Sequence, residues 1–313
     1  MKATRDAFGE AIAALGEKNP RIVVLDADLG KSTMTGAFMK RFPERHFELG
    51  IAESNMIGAA AGLALCGKIP FVTSFACFLI GRLETIRVAV AYNQTNVKMV
   101  GTHAGLGIGE DGPSQMGLED LGALRSLPHV TLLQPGDAEE TRQIVAWAAE
   151  HKGPVYIRLT RQKVPDVHSG GYQWKLGRLD PVFTPAGETE HFQASVLAGG
   201  GTLEGAIDAA KALEKKGFSV RVFNAPTIKP LDSTDVLDAA RNSNRLVSVE
   251  DHSVVGGLGS AVAEVLAGAG LPAPLIRLGA TRFGESGTGA ELYSKYGLSS
   301  EHIQDACIRN IPQ

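Results

Sequence analysis

Three stretches of the chain carry side chains of the kinds that do chemistry. Glu53 sits in Gly50-Ile-Ala-Glu53-Ser-Asn-Met56, at the head of an apolar stretch that meets no further charge before Lys68. A helix without a polar face is buried, and a buried carboxylate needs a partner. The local text offers none, so a ligand or another chain is expected to supply it. The plainer reading is a surface glutamate at the positive end of a helix dipole. His103 and Asp111 share one glycine-rich loop, Gly105-Leu-Gly107-Ile-Gly109-Glu-Asp111-Gly112. The loop follows a strand, and open α/β sheets bind ligands beyond the carboxyl ends of their strands. Gly107, Gly109 and Gly112 make a formal G-x-G-x-x-G, the pattern that holds a pyrophosphate. Glu110 and Asp111 would repel a phosphate there, and Pro113 follows, so the pattern argues weakly for a nucleotide. Taken alone, His103 reads as a structural histidine.

The remaining candidates are weaker one by one. Phe75 and Phe78 lie three apart in Thr73-Ser-Phe75-Ala-Cys77-Phe78. Such pairs are ordinary core, or else a flat apolar slot for a heterocycle. Arg5, Ser32 and Arg161 fall at a helix start or at strand ends. Arginines at one sheet edge can clamp a phosphate bidentately, although singly each reads as a surface residue. In Val249-Glu-Asp-His252-Ser-Val-Val-Gly256-Gly257-Leu-Gly259 the glycines let a strand turn closely into a helix. His252 there reads as a turn residue.

These positions depend on a regular alternation of elements. Residues 3–18 read as a helix, 21–26 as a buried strand and 53–66 as a buried helix. Strands follow at 70–74, 97–102, 130–134 and 155–159, with a helix over 137–149. Alternating strands and helices mean βα units and a mostly parallel sheet covered on both faces. Residues 166–190, rich in Gly, Pro, His and charge, read as a linker. A second series then runs through strands 194–198, 219–224, 246–249 and 275–279 and helices 203–216, 233–240 and 257–267. The expectation is therefore α/β, with two domains, 1–165 and 191–313, each a mostly parallel sheet flanked by helices.

Composition narrows the classes. The 313 residues suit two domains, and 44% hydrophobic with 21% charged residues is ordinary for a globular protein. Thirty-one Lys and Arg against 34 Asp and Glu leave a net charge of −3. That balance excludes a strongly basic nucleic-acid binder. No uncharged run reaches membrane-spanning length, and the N-terminus has no apolar signal core. A cytoplasmic protein with no nucleic-acid or membrane partner is expected. Cys66, Cys77 and Cys307 lack disulfide or metal-ligand spacing and read as buried thiols.

Together the segments resemble transketolase. The likeness runs through GIAESNM at Glu53, TSFACF, THAGLGIGEDGPS and LTRQ at Arg161, and continues through VEDHSVVGGLGSAVAEVL and FGESG. It covers essentially the whole chain, with the segments in order. It does not extend to the Gly-Asp-Gly motif, followed by Asn, with which that family binds a diphosphate and a metal. The chain thus looks like the pyrimidine-binding and C-terminal domains alone, the C-terminal subunit of a split transketolase.

The resemblance implies roles. Glu53 matches the glutamate that hydrogen-bonds the aminopyrimidine of thiamine diphosphate and activates it. Phe75 and Phe78 match the aromatic wall against that ring, and Asp28 an aspartate near the cofactor. His103 matches a histidine that contacts the sugar and assists proton movement, and Asp111 the residue reading a sugar hydroxyl. Arg5, Ser32 and Arg161 match the clamp on the sugar phosphate. Two positions depart from the family: Gln115 stands where a second histidine is frequent, and Gly81 replaces an aromatic. The implied activity is transfer of a two-carbon ketol unit from a ketose phosphate to an aldose. It implies an N-terminal partner holding the diphosphate and Mg2+ or Ca2+, in an α2β2 heterotetramer, and a place in the pentose phosphate route or another sugar pathway. The rivals are the β subunit of a 2-oxo-acid dehydrogenase, a nicotinamide-dependent dehydrogenase built on the Gly107–Gly112 turn, and a non-catalytic interaction subunit.

Overall fold

Apolar, β-branched runs form the strands and small-residue stretches form the helices packed on them. The structure, a computed structural model, describes residues 1–168, 170–187 and 191–309. In chain order the first strands are β1 (Lys2–Ala3), β2 (Ile22–Asp26), β3 (His46–Glu48), β4 (Ile69–Phe75), β5 (Lys98–Thr102), β6 (Thr131–Leu133), β7 (Val155–Arg158) and β8 (Lys163–Val164). They are followed by β9 (Asp180–Phe183), β10 (Ala194–Ala198), β11 (Val220–Asn224), β12 (Thr227–Lys229), β13 (Leu246–Ser253) and β14 (Leu275–Ala280). The first large sheet has the order β12-β6-β7-β5-β4-β2-β3, and the second β14-β13-β10-β11-β9. Pairing is parallel within each sheet except at the strands β9 and β12, which join antiparallel.

Every residue of β2, β4 and β5 is buried, as a sheet covered on both faces requires. On one face Phe8 and Ile12 of the Thr4–Lys18 helix pack with Ile144 and Val145 of the Ala138–Glu150 helix against Val24 and Phe71. On the other face Met56 and Ile57 of the Glu53–Leu65 helix meet Val72 and Met99. That second core runs on without a break to Val236, Leu258 and Val262 of the second half, so the two sheets share one apolar body. Asp137 caps the Ala138–Glu150 helix by accepting the Glu140 N–H at 2.9 Å, one of the donors a helix start leaves open.

Five expectations are corrected. The segment read as a linker contains β9, which pairs with β11; residues 169 and 188–190 of it lie outside those described. The strand β12 leaves the second half to pair with β6 of the first sheet, so the halves interleave. The helices Gly289–Lys295 and Ser300–Ile308 complete the second half beyond the last expected strand. The Glu53–Leu65 helix is buried on one side only: Ser54, Asn55, Gly58, Gly62 and Leu65 are exposed. Beyond that helix Cys66 is exposed, whereas Cys307 is buried and Cys77 half-buried. No helix among the described residues is long and apolar enough to cross a membrane.

Candidate active site

Strand order brings the scattered candidates to one edge. β7, β5, β4 and β2 are consecutive neighbours, with Phe75 opposite Thr102 and Thr73 opposite Asp26. Phe75, His103 and Arg161 therefore leave the sheet side by side at its carboxyl end. Ser32 reaches the same place through a turn anchored on Asp26. That buried carboxylate accepts hydrogen bonds from the hydroxyls of Thr33, Thr35 and Thr73, and His46 Nε2 lies 2.9 Å from Oδ2.

His103 is the centre of the cluster. It is buried, with φ at +55°, a left-handed conformation that non-glycine residues adopt sparingly and that gathers at functional sites. Arg5 Nη1 lies 2.7 Å from His103 Nε2 and 3.2 Å from the Ser32 carbonyl. An arginine has only donors, so Nε2 accepts and the ring proton is on Nδ1. Nδ1 then donates to Thr102 Oγ1 at 2.9 Å. The imidazole stacks on Phe75 at 3.8 Å, and Phe75 stacks on Phe78 at 5.5 Å with planes only 6° apart. Burial, then the positive charges of Arg5 and Arg161, push the His103 pKa down to about 3. Burial likewise lowers the pKa of Arg5, whose neighbours in charge include Asp6, Arg161 and Asp111. Arg5 Nε is buried without a hydrogen bond, and its nearest opposite charge is Asp6 Oδ1 at 3.6 Å. Two cations flank a neutral histidine, each with its carboxylate no closer than 3.5 Å, Asp6 at Arg5 and Glu110 at Arg161, so both keep donors for an oxyanion.

The Leu106–Asp111 turn brings up the other side of the cluster. Arg161 Nη1 donates to the Ile108 carbonyl at 2.8 Å and pairs with Glu110 Oε2 at 3.5 Å. Asp111 at its end is exposed. Gln115 is half-buried, its N–H bonded to the Gly112 carbonyl at 3.1 Å. Asp28, two residues beyond β2, is exposed, with φ at +60°, and its N–H donates to Glu48 Oε1 at 2.8 Å.

Glu53 opens its helix as expected and is 4% exposed. Its partner is Arg82, whose Nη2 lies 3.5 Å from Oε2. Among the described residues it accepts no hydrogen bond, so the carboxylate keeps acceptor capacity for a ligand N–H. The Phe75–Phe78 stack supplies a flat apolar wall. A free carboxylate acceptor and an aromatic face are the two features that an aminopyrimidine would require. The described residues hold no cluster of three His, Cys, Asp or Glu side chains able to bind a metal.

Buried polar residues brace this edge, and Arg158 among them carries no motif in the sequence. Arg158, fully buried, donates from Nε to Asp120 Oδ2 at 2.9 Å and from Nη1 to Gln134 Oε1 at 3.0 Å. Its Nη2 donates to the carbonyls of Gly117 and Asp251. Although burial works against its charge, Asp120 and Asp251 hold the guanidinium pKa above its ordinary value. His252 is buried within β13 rather than in a turn: Nδ1 donates to the Ser253 carbonyl at 2.7 Å and Nε2 accepts the Gly122 N–H at 3.2 Å. Burial pushes its pKa down to about 4, which fits a neutral ring. The acidic run Glu250-Asp251 next to a histidine was the available signal.

Residues 1–167 match the family described as "Transketolase, pyrimidine binding domain", and residues 188–303 match "Transketolase, C-terminal domain". Over 306 residues the chain is 42% identical to the "Putative transketolase C-terminal section" of Methanocaldococcus jannaschii, covering 96% of this chain and 94% of that protein. It is 38% identical to the "6-deoxy-6-sulfo-D-fructose transketolase subunit SqwH" of Clostridium sp. (strain MSTE9), covering 96% and 91%. A solved structure, "Split gene transketolase, inactive beta4 tetramer", superposes with a TM-score of 0.87 at 43% identity, covering 98% of this chain and 97% of that one. The chain spans about half the length of the longer curated relatives it also matches.

Proposed function

This chain belongs to the transketolase family, and we propose that it works as the C-terminal half of a split transketolase, transferring a two-carbon ketol unit from a ketose phosphate to an aldose. The observation that carries the reading is the Arg5–His103–Phe75 cluster, with Arg161 beside it as the second positive charge on the histidine. A sugar phosphate placed there would be held by Arg5 and Arg161, with the Ser32 turn beside it. Asp111 would accept a hydrogen bond from a sugar hydroxyl. Gln115 brings a neutral amide to the same loop. The phosphate charge would also lift the His103 pKa, because the two cations that depress it would be neutralised.

Thiamine diphosphate supplies the carbanion chemistry when bound. The side chains toward it on this chain would be Glu53, as acceptor from the aminopyrimidine, and Phe75 and Phe78 as its wall. We place the diphosphate and its Mg2+ or Ca2+ on an N-terminal partner subunit. Self-association is supported by the open face of the Glu53–Leu65 helix, where space remains over Gly58 and Gly62. A relative is described as a β4 tetramer, and we extend this to an α2β2 heterotetramer formed in the cytoplasm. Asp28, bonded to Glu48, is proposed only as a neighbour of the cofactor. A 2-oxo-acid dehydrogenase β subunit has no use for a sugar-phosphate clamp. The test is to offer pyruvate and xylulose 5-phosphate in turn to this chain with its partner: turnover of the ketose phosphate alone supports the reading, and turnover of pyruvate alone overturns it.

A further inference from the structure

Glu250, Asp251 and His252 are consecutive at the end of β13, and each holds a different part of the molecule. Glu250 caps its own domain's helix, accepting the N–H of Leu258 at 2.7 Å and of Gly259 at 2.9 Å. His252 accepts the Gly122 N–H of the first domain. Asp251 reaches the loop that carries Asp111. Its Oδ1 accepts the Leu106 N–H at 2.6 Å, and its Oδ2 accepts the Gly107 N–H at 3.1 Å and the Tyr293 hydroxyl at 2.7 Å. Gln162, beside Arg161, donates to Tyr293 Oη at 2.9 Å.

Apolar packing already secures the loop, since Leu106 and Ile108 are fully buried in the second domain's core. A carboxylate that is 3% exposed is costly to bury, and its three donors offset that cost. What it adds beyond packing is direction. It holds two successive N–H groups of the turn toward itself, and the Ile108 carbonyl, two peptides further on in the same turn, accepts from Arg161. Gly105, at φ +86°, keeps the approach open, because a β-carbon there would collide with the Asp251 carboxylate.

We infer that Asp251 is a positioning residue of the C-terminal domain: through the Leu106–Asp111 turn it sets Arg161 and Asp111 against the sugar. This inference rests on the ketol-transfer reading above. Two variants test it. Asp251→Asn keeps the volume but turns an amide N–H2 toward a donor. Tyr293→Phe removes one donor and leaves the carboxylate. On the isolated chain, amide exchange at Leu106 and Gly107 should quicken roughly tenfold or more in Asp251→Asn, as for loss of one hydrogen bond to a charged group, and about threefold in Tyr293→Phe. In the assembled enzyme KM for xylulose 5-phosphate should rise roughly tenfold in Asp251→Asn, with kcat within about threefold and thiamine diphosphate affinity unchanged. Wild-type exchange and KM in Asp251→Asn would overturn the inference. Should that variant not fold, the same null result in Tyr293→Phe would do so. A wild-type assembly without ketol transfer would instead overturn the functional reading, and the exchange rates would still judge the positioning.

Discussion

Arg5 Nη1 donates to His103 Nε2 at 2.7 Å, and this bond determines the state of the histidine. It fixes the proton on Nδ1, toward Thr102, and places a permanent positive charge against the ring. With burial and Arg161, that charge brings the pKa down to about 3. In the free chain His103 is thus a neutral acceptor already engaged, and an anion drawn to Arg5 would release it.

Replacing Arg5 with Gln should raise the His103 pKa toward the ordinary histidine value, since a nearby positive charge disfavours imidazolium. Imidazole NMR of the isolated chain across pH reads this directly. The same variant should raise KM for a phosphorylated sugar by roughly tenfold or more, in line with loss of a charge-assisted bond. An unchanged titration would contradict the influence assigned to the Arg5 charge.

Glu53→Ala should abolish turnover while the subunits still assemble. The side chain accepts no hydrogen bond within the described chain and pairs only with the half-exposed Arg82, so little folding energy depends on it. Steady-state activity above about a tenth of wild type would sink the role given to it, a tenfold change being the smallest worth one clear interaction.

Phe78 is half-buried and offers its face beside Phe75. Phe78→Ala should weaken thiamine diphosphate binding by about tenfold, the worth of one aromatic stack, and leave KM for the sugar nearly unchanged. Calorimetric titration of the assembled enzyme separates the two. Equal losses in both would show that the stack serves the sugar rather than the ring.

His168 gives the pH dependence of stability. Burial opposes its charge, but the close carboxylates of Asp137 and Asp180, with Glu140 near, raise its pKa to about 10. Its Nε2 lies 2.8 Å from Asp180 Oδ2 at the start of β9, and Nδ1 lies 3.0 Å from Asp137 Oδ2. A histidine raised above its unfolded value of about 6.5 stabilises fully below that pH. The contribution then fades as pH rises from about 6.5 toward 10. Thermal melts of wild type minus His168→Gln should show a gap that is widest at pH 6 and closes toward pH 10. A gap constant with pH would contradict the charged clasp.

Much of this was legible because local chemistry and global position agreed. The strands of the first sheet announce themselves as unbroken apolar runs, and parallel order puts Phe75, His103 and Arg161 at one edge once those strands are placed. Glu53 stood out because an apolar helix had no other charge. Its partner Arg82 did not, since nothing in the intervening text requires the two to meet. Asp251 was hidden for the same reason: its task lies 145 residues away, in a loop of the other domain. β9 and β12 are four and three residues long and contain or adjoin proline, too short for a period-two pattern to show. The open side of the Glu53–Leu65 helix is a property of one chain alone; its apolar pattern predicts burial and is silent on whether this chain or another provides it.

The most direct test is ketol transfer by this chain alone and mixed with the diphosphate-binding subunit, with thiamine diphosphate, Mg2+, xylulose 5-phosphate and ribose 5-phosphate. The account predicts no turnover by the chain alone and turnover in the mixture, lost again with Glu53→Ala. Turnover by the chain alone, or a stable complex that transfers no ketol unit, would contradict it.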